Sequence, residues 1–226
     1  MVEPPDNSTE RLSKNSSLST GEGIVIDIGT GDGLFVYQCA RRNPLKFYIG
    51  IDANPRPLEK ISEKIHRKPA RGGLPNVLFL QAAIEDLPSE LNGVADEIHI
   101  HFPWGSLLRA VATGDEVALR DLRRLCARGA LLEVIIGLDA ERDRAELERL
   151  QVSQFSIAHI GSVLDRSYRR AGFEITERGE RLPADWPDLQ TSWARRLQHS
   201  PNRSLIYFIA RAVDIQPPDS RPVTGV

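Results

Sequence analysis

The chain has 226 residues, of which 41% are hydrophobic, and its 29 basic and 31 acidic residues give a formal net charge of -2. A chain of this length forms one large domain with a sizeable core and leaves no room for a second full domain. Its two cysteines, Cys39 and Cys126, are too few and too far apart for a disulfide framework or a cysteine-rich metal site, and no apolar run approaches membrane-spanning length. We therefore expect a cytoplasmic protein in a reducing compartment, with no membrane partner.

The start of the chain is polar and lacks the apolar core of a signal peptide, so residues 1–23 are predicted to form a flexible leader. A single domain is expected over residues 24–213. The proline-rich residues 214–226 are predicted to form a disordered tail.

The domain is organised around Ile24–Gly33, where the apolar run IVIDI passes into three glycines and then into an apolar-periodic segment. This pattern predicts a buried parallel strand, a tight loop and the start of a helix. A second predicted strand, Phe47–Ile51, ends in Asp52, which lies 23 residues after Gly29 and is placed to accept hydrogen bonds from a ribose diol. An ordinary glycine turn and a solvated aspartate would explain each feature separately, but together they favour a nucleoside ligand.

The glycine spacing narrows the choice of nucleoside. A dinucleotide fingerprint would need its third glycine at position 34, where Leu34 stands, so an NAD-dependent oxidoreductase is disfavoured. The pattern Asp27-x-Gly29-x-Gly31-x-Gly33 resembles the first motif of class I S-adenosylmethionine-dependent methyltransferases. Their ligand has no pyrophosphate to place on a helix N-terminus.

Strands and helices alternate along the rest of the chain. The predicted helices are Leu34–Arg42, Pro57–Lys68, Glu116–Cys126 and Ser162–Ala171, and the later strands are Val77–Gln81, Glu97–Phe102, Ala130–Ile136, Phe173–Arg181 and Leu205–Ala212. This order predicts an α/β fold with a doubly wound, seven-stranded, mostly parallel sheet whose last strand is antiparallel. Inserts at 137–161 and 182–204 are expected to carry substrate contacts, although the charge run Glu141–Arg149 is most simply a solvated helix.

The sequence Phe102-Pro103-Trp104-Gly105 directly follows the fourth predicted strand, whose carboxyl end should open on the ligand crevice. Amino-group methyltransferases place a polar-Pro-Pro-aromatic sequence here to hydrogen-bond and stack the target base. This chain has the aromatic residue without the Asn or Asp, which suits a ring-nitrogen target better than an exocyclic amine. The simpler alternative is that Trp104 only caps the sheet.

Several motifs together resemble the aminoglycoside-resistance methyltransferases of the Kam/Npm type, which modify N1 of adenine 1408 in the decoding site of 16S rRNA. The matching motifs are DIGTGDG at Asp27–Gly33, YIGID at Tyr48–Asp52, Lys68-Pro69 with Gly72-Gly73-Leu74, AAIEDL at Ala82–Leu87, FPWG at Phe102–Gly105 and SWARRL at Ser192–Leu197. The resemblance runs from about Ile24 to Arg211. It implies an S-adenosylmethionine-dependent rRNA methyltransferase that acts on the 30S subunit.

The resemblance also assigns residues by position. Trp104 and Trp193 match the two tryptophans that enclose the flipped adenine, and Arg203 matches an arginine that grips the RNA backbone. The expected cofactor-binding residues are Asp27, Gly29, Thr30, Gly31, Asp52, Ala53, Ala83, Glu85, Pro103, Ser106 and Thr191. The chemistry needs no general base at the attack step, because N1 of neutral adenine has a free lone pair.

The charge distribution supports an RNA partner although the net charge is slightly negative. Residues 41–71 hold nine basic and three acidic side chains, a net of +6, and residues 189–213 add four arginines and no acid. A solvated helix face would explain part of this excess. The residues expected to contact RNA phosphates are Lys64, Arg67, Lys68, Arg71, Arg195, Arg196 and Arg203.

No metal site is expected. His99 and His101 alternate on one face of the fourth strand, and no third ligand at a suitable spacing is evident, so core or crevice histidines are favoured. We expect a monomer.

Two other functions stay open. A tRNA guanine-N7 methyltransferase has a similar second strand and a similar Phe-Pro…Trp sequence, but its tryptophan is followed by a basic run. Here the corresponding sequence, GSLLRAVATG, has one basic residue. A non-catalytic RNA-binding scaffold on the same fold would not need Asp27, Asp52 and Glu85 intact.

Overall fold

The computed structural model describes residues 23–139, 141–151, 155–181 and 204–214. Their centre is one seven-stranded sheet. The strands are β1 (Gly23–Ile28), β2 (Lys46–Asp52), β3 (Val77–Gln81), β4 (Ala95–His101), β5 (Cys126–Leu138), β6 (Phe173–Arg181) and β7 (Ser204–Ala212).

Helices cover the connections between the strands. They are α1 (Leu34–Arg42), α2 (Glu59–Ile65), α3 (Gly105–Thr113), α4 (Glu116–Leu125), α5 (Arg144–Arg149), α6 (Ile157–His159) and α7 (Asp165–Arg170), and a π-helical turn, Ile160–Leu164, joins the last two. In the described part of the chain, no helix is long and apolar enough to span a membrane.

The strand order is β3-β2-β1-β4-β5-β7-β6. β1 to β5 pair in parallel, whereas β7 lies between β5 and β6 and is antiparallel to both. The predicted mostly parallel sheet with an antiparallel last strand is therefore confirmed. The chain leaves β1 for β2 on one side and returns to β4 on the other, so a crevice opens at the carboxyl ends of β1 and β4.

The two faces of the sheet are packed differently because side chains alternate along each strand. Ile26 and Ile28 face the larger apolar core, which includes Leu108 of α3 and Leu119 of α4. Val25 and the β2 residue Tyr48 face a smaller core formed with α1. Asp27 lies on this second face, beside His99 in register.

Most predicted elements lie within a few residues of where they were expected, and three differences are described here. The helix predicted to continue to Lys68 ends at Ile65, because Lys68 is in extended backbone before Pro69. β5 is longer than Ala130–Ile136 at both ends. The sequence interpretation assigned no helix after Trp104, yet α3 begins there and buries Leu108 and Val111.

Candidate functional site

A cavity of about 350 Å³ opens at the carboxyl ends of β1 to β5. This volume is within the range of about 300–1,000 Å³ that is usual for small-molecule sites. Its wall is formed by Ile28, Gly29, Gly31, Asp52, Ala53, Ala82, Ala83, Ile84, Phe102, Pro103, Trp104, Ser106, Leu107, Gly137 and Asp143.

The glycine loop after β1 is fixed to the end of β2. The amides of Gly29 and Thr30 both donate to the carbonyl of Ile51, at 2.8 and 3.0 Å. Gly29 has φ 78°, and a Cβ there would lie 2.7 Å from Leu107 Cδ2. The space beside Gly31 is open, so a ligand can approach the loop backbone at this residue.

Asp52 closes the same side of the cavity. Its Oδ2 accepts from the Gly31 amide at 2.7 Å, and its Oδ1 accepts from the Asn54 amide at 2.9 Å. Each carboxylate oxygen has a second lone pair. Asp52 is therefore oriented by the backbone and can still accept hydrogen bonds from a diol in the cavity.

Asp27 and Thr30 lie behind the wall rather than on it. Both are buried, and burial raises the pKa of Asp27 above its usual value, against the opposing effect of His101. Thr30 is buried beside Asp27, and its hydroxyl opposes the effect of burial on the pKa of that carboxyl. Their position indicates that they support the glycine loop from the sheet side.

Trp104 stands at the mouth of the cavity with 53% of its surface exposed. The preceding Phe102 has φ 52°, a left-handed conformation that is uncommon outside glycine, and its amide donates to the Ile135 carbonyl at 2.7 Å. Trp104 itself is extended and precedes the first residue of α3. The backbone turn at Phe102 therefore aims Pro103 and Trp104 at the cavity instead of continuing β4.

The loop after β5 adds a carboxylate that the sequence interpretation missed. Asp143 lines the cavity, and its Oδ2 accepts from the Asp139 amide at 3.0 Å. The charge run around it was interpreted as a solvated helix, and α5 does carry the expected ion pairs, including Arg144 with Glu148. The sequence feature that could have indicated Asp143 is its position shortly after the end of β5, near the start of the insert at 137–161.

The structure brings most of the predicted site together, but not all of it. Glu85 is exposed and lies just beyond Ile84, outside the wall. The predicted residues that line the cavity are Gly29, Gly31, Asp52, Ala53, Ala83, Pro103, Trp104 and Ser106. The predicted residues outside the described part of the chain are Thr191, Trp193, Arg195, Arg196 and Arg203.

The sequence interpretation also missed apolar wall residues, of which Ile28, Ile84 and Leu107 are examples. They follow or end strands, or begin a helix, and nothing in their residue type distinguishes them from core positions.

Four cations form a basic patch, which we define as Lys64, Arg67, Lys68 and Arg71. The three that follow α2 are exposed, whereas the Lys64 ammonium lies 4.1 Å from the centroid of the Tyr37 ring. The Tyr37 hydroxyl donates to the Gly72 carbonyl at 3.0 Å. Tyr37 therefore contacts both Lys64 on α2 and the loop that carries the other three cations.

One cation of the basic segment 41–71 is buried and does not contribute to the protein surface. Lys46 is only 4% exposed, and its Nζ lies 2.6 Å from Glu97 Oε1. The excess of positive charge on the surface is therefore smaller than the sequence count suggests.

His99, His101 and Glu133 form a buried group that we call the histidine–glutamate triad. His99 Nδ1 and His101 Nε2 each lie 2.8 Å from Glu133 Oε2. Burial alone would lower the pKa of His99, but hydrogen bonds with Glu133 and Glu97 raise it to about 10. Burial alone would raise the pKa of Glu133, but hydrogen bonds from His101 and His99 hold it well below its usual value.

The triad corrects one step of the sequence interpretation. The third group near His99 and His101 does exist, but it comes from β5, where Glu133 pairs with His99 in register. Residue spacing along β4 could not reveal it.

The sheet order, the glycine loop and the strand-end aspartate around one cavity define a class I S-adenosylmethionine-dependent methyltransferase. The family model described as NpmA, 16S rRNA (adenine(1408)-N(1))-methyltransferase, matches residues 8–212. The chain belongs to this family, and the resemblance inferred from its motifs is confirmed.

Individual relatives agree with this assignment. The chain is 38% identical over 182 residues to the 16S rRNA (adenine(1408)-N(1))-methyltransferase of Streptoalloteichus tenebrarius, a match that covers 80% of this chain and 83% of the relative. It is 48% identical to the crystal structure of the aminoglycoside resistance methyltransferase NpmB1, with a TM-score of 0.75 over 91% of this chain and 93% of that one. A mutant of the 16S rRNA (adenine(1408)-N(1))-methyltransferase from Catenulisporales acidiphilia, crystallised with cosubstrate SAM, is 29% identical, with a TM-score of 0.78 and coverage of 97% and 96%.

Proposed function

We propose that the chain methylates N1 of adenine 1408 in 16S rRNA of the 30S subunit and so confers aminoglycoside resistance. The adenine is flipped out of its stack and held between Trp104 and Trp193. The chain acts as a monomer in the cytoplasm, where ribosomal subunits are found. The exposed Trp104 at the mouth of the cavity is the observation that carries this proposal, together with the family membership.

The cavity suits S-adenosylmethionine by its chemistry. Asp52 can accept from the ribose hydroxyls, the backbone at Gly31 is open, and apolar side chains such as Leu107 can pack on the adenine ring. The cosubstrate supplies an electrophilic methyl group on a sulfonium. The protein then has to position the acceptor nitrogen in line with that methyl group, and this transfer uses neither a general base nor a metal.

The energetics favour two aromatic partners for the base. Extruding a base from its stack costs a few kcal/mol, and each base–aromatic stack returns roughly 1–3 kcal/mol. Trp104 is already held toward solvent by the turn at Phe102, so little further ordering is needed on that side. A second tryptophan, Trp193, would offset the remaining cost.

Docking on the subunit would rest on separate cations. Arg67, Lys68 and Arg71 are exposed and do not line the cavity. Together with Lys64 and with Arg195, Arg196 and Arg203 they would neutralise RNA phosphates. Binding to the subunit and binding of the cosubstrate should therefore be separable.

The test is methylation of purified 30S subunits with labelled S-adenosylmethionine, followed by primer extension across the decoding site. The expected result is a stop at adenine 1408 that depends on both enzyme and cosubstrate, together with raised aminoglycoside tolerance in bacteria that express the chain. Free tRNA in a parallel reaction should incorporate no label. A stop at another nucleotide, or label in guanine of tRNA, would overturn the proposal.

A further inference from the structure

The histidine–glutamate triad is not explained by the proposed methyl transfer. His99, His101 and Glu133 are buried on the sheet face that carries α1, and the cavity wall contains none of them. The Phe35 ring of α1 packs edge-on against both imidazoles, with ring centroids 5.4 and 4.7 Å apart. Three polar side chains are therefore held in an apolar layer where aliphatic residues would pack at lower cost.

The three groups converge on one point. Residues i and i+2 of a strand face the same side, so β4 presents both imidazoles, and the parallel register places Glu133 of β5 beside them. One ligand atom from each residue lies within 4.8 Å of the other two. In a tetrahedral zinc site with bonds of about 2.0–2.2 Å, ligand atoms are roughly 3.3 Å apart, so a modest spreading of the triad would admit an ion.

The surroundings of His99 match the outer shell of a metal site. A metal-bound histidine usually donates its other ring N–H to a carboxylate, which fixes the tautomer. His99 directs Nδ1 toward Glu133, and its Nε2 lies 3.5 Å from Glu97 Oε2. Glu97 is itself held by Lys46 at 2.6 Å.

Carboxylate ligands and space are also available to a cation. Glu97 and Glu133 place carboxylate oxygens 3.5 and 2.8 Å from the two ring nitrogens of His99. A small cavity of about 10 Å³, bounded in part by Glu97, His99 and Glu133, has room for about one water as a fourth ligand.

We propose that His99 Nδ1, His101 Nε2 and Glu133 Oε2 bind one divalent transition-metal cation, with zinc the best match to two imidazoles and one carboxylate. The ion cross-links β4 to β5 just before the turn at Phe102. Its role is structural, and it does not depend on the target of methylation.

The test uses the full chain without a polyhistidine tag, stripped with a chelator and dialysed. Calorimetric titration with Zn²⁺ should show one saturable site, and Zn²⁺ should raise the midpoint of thermal unfolding. Co²⁺ in the same site should give the visible absorption of a four-coordinate nitrogen and oxygen environment. Failure of the stripped wild-type chain to bind Zn²⁺ saturably would overturn the proposal.

Variants assign the site. Glu133→Gln keeps the side-chain size and removes the anionic ligand, so it should lower zinc affinity more than Glu97→Gln, which should cost about 10–100-fold as an outer-shell change. His66→Asn, at an exposed histidine, is the matched control and should bind zinc as wild type does. If circular dichroism shows that Glu133→Gln does not fold, the zinc affinity of Glu97→Gln tests the assignment instead. Zinc binding that is lost in His66→Asn, or unchanged in a folded Glu133→Gln or Glu97→Gln protein, would refute the assignment.

Discussion

The cavity and the basic patch are formed by different kinds of residue. The cavity wall is largely backbone, small residues and strand-end side chains, and Asp52, the wall carboxylate at the end of β2, is held by two amides. The patch consists of long cations on a short helix and its following loop, and three of them are exposed. Lys64, by contrast, lies against the Tyr37 ring.

This difference predicts how each region responds to substitution. A group that the backbone fixes loses little entropy when it binds a ligand, so removing it should cost most of a charge-assisted hydrogen bond. An exposed cation is screened by salt and shares its task with neighbours, so each one should contribute less. Single changes should therefore be severe in the cavity and graded in the patch.

The largest effect is expected at Asp52. Replacing it with alanine removes the acceptor for the ribose diol, a loss of about 1.5–3 kcal/mol or about 10- to 150-fold in S-adenosylmethionine affinity. Asp52→Asn keeps one oxygen acceptor and should fall between wild type and Asp52→Ala. Calorimetric titration of the folded variants measures the change.

Asp96 offers the matched control for Asp52. It also orients a backbone amide, that of Ile24 at 2.8 Å, but it lies at the other end of the sheet. Asp96→Ala should leave cosubstrate affinity unchanged. Equal affinity in wild type and Asp52→Ala would remove Asp52 from the site.

The next effect concerns Trp104 and Trp193. Alanine at either position removes a stack worth roughly 1–3 kcal/mol and should slow single-turnover methylation of 30S subunits about ten- to a hundredfold, whereas phenylalanine should retain part of the rate. Subunit and cosubstrate affinity should change little in both alanine variants. Near-normal rates in Trp193→Ala would contradict the proposal that the adenine is held between two tryptophans.

The parts of the site that were predictable from sequence are local. The glycine loop, Asp52 and the Phe102–Gly105 motif each lie within a few residues of a strand end, and strand ends follow from the apolar pattern. The doubly wound, mostly parallel sheet follows from the alternation of strands and helices, whereas the order of its strands is known from the structure.

The parts that were missed depend on contacts between distant segments. Glu133 reaches His99 only because β4 and β5 pair in one register, and a shift by one residue would turn it to the other face. Asp143 reaches the cavity because the loop after β5 folds back through its bond to Asp139. Lys46 looked like a surface cation until its pairing with Glu97 placed it inside.

A smaller effect is expected for charge reversal at Lys68 of the basic patch or at Arg203, which belongs to the second basic segment of the sequence. Lys68→Glu or Arg203→Glu should weaken binding to 30S subunits and flatten its salt dependence, with cosubstrate affinity intact, because a phosphate contact is lost. Binding measured across several salt concentrations tests this.

Lys60→Glu is the control for Lys68→Glu. Lys60 is an exposed residue of α2 outside the basic patch, and its reversal makes the same change in net charge. If Lys60→Glu weakened binding as much as Lys68→Glu, or if Lys68→Glu did not differ from wild type, the patch would be ordinary solvated surface.

The smallest effect is expected at Tyr37, which tests whether the patch is held in shape by its support. Tyr37→Phe removes the hydrogen bond to Gly72 and keeps the ring beneath Lys64, whereas Tyr37→Leu removes both contacts. A net hydrogen bond is worth about 0.5–1.5 kcal/mol, so Tyr37→Phe should weaken subunit binding by roughly two- to tenfold, and Tyr37→Leu by more.

The loop that Tyr37 supports has little freedom to adapt. Gly72 has φ 86°, and a Cβ on Gly73 would lie 1.7 Å from the Arg67 carbonyl oxygen, so releasing Tyr37 should displace the whole turn that carries Lys68 and Arg71. Tyr48→Phe, a change at another buried tyrosine of the same apolar cluster, is the control and should leave binding unaltered. A fall in thermal stability for both Tyr37 variants, with subunit affinity and its salt dependence unchanged, would show that Tyr37 supports the fold but does not position the basic patch.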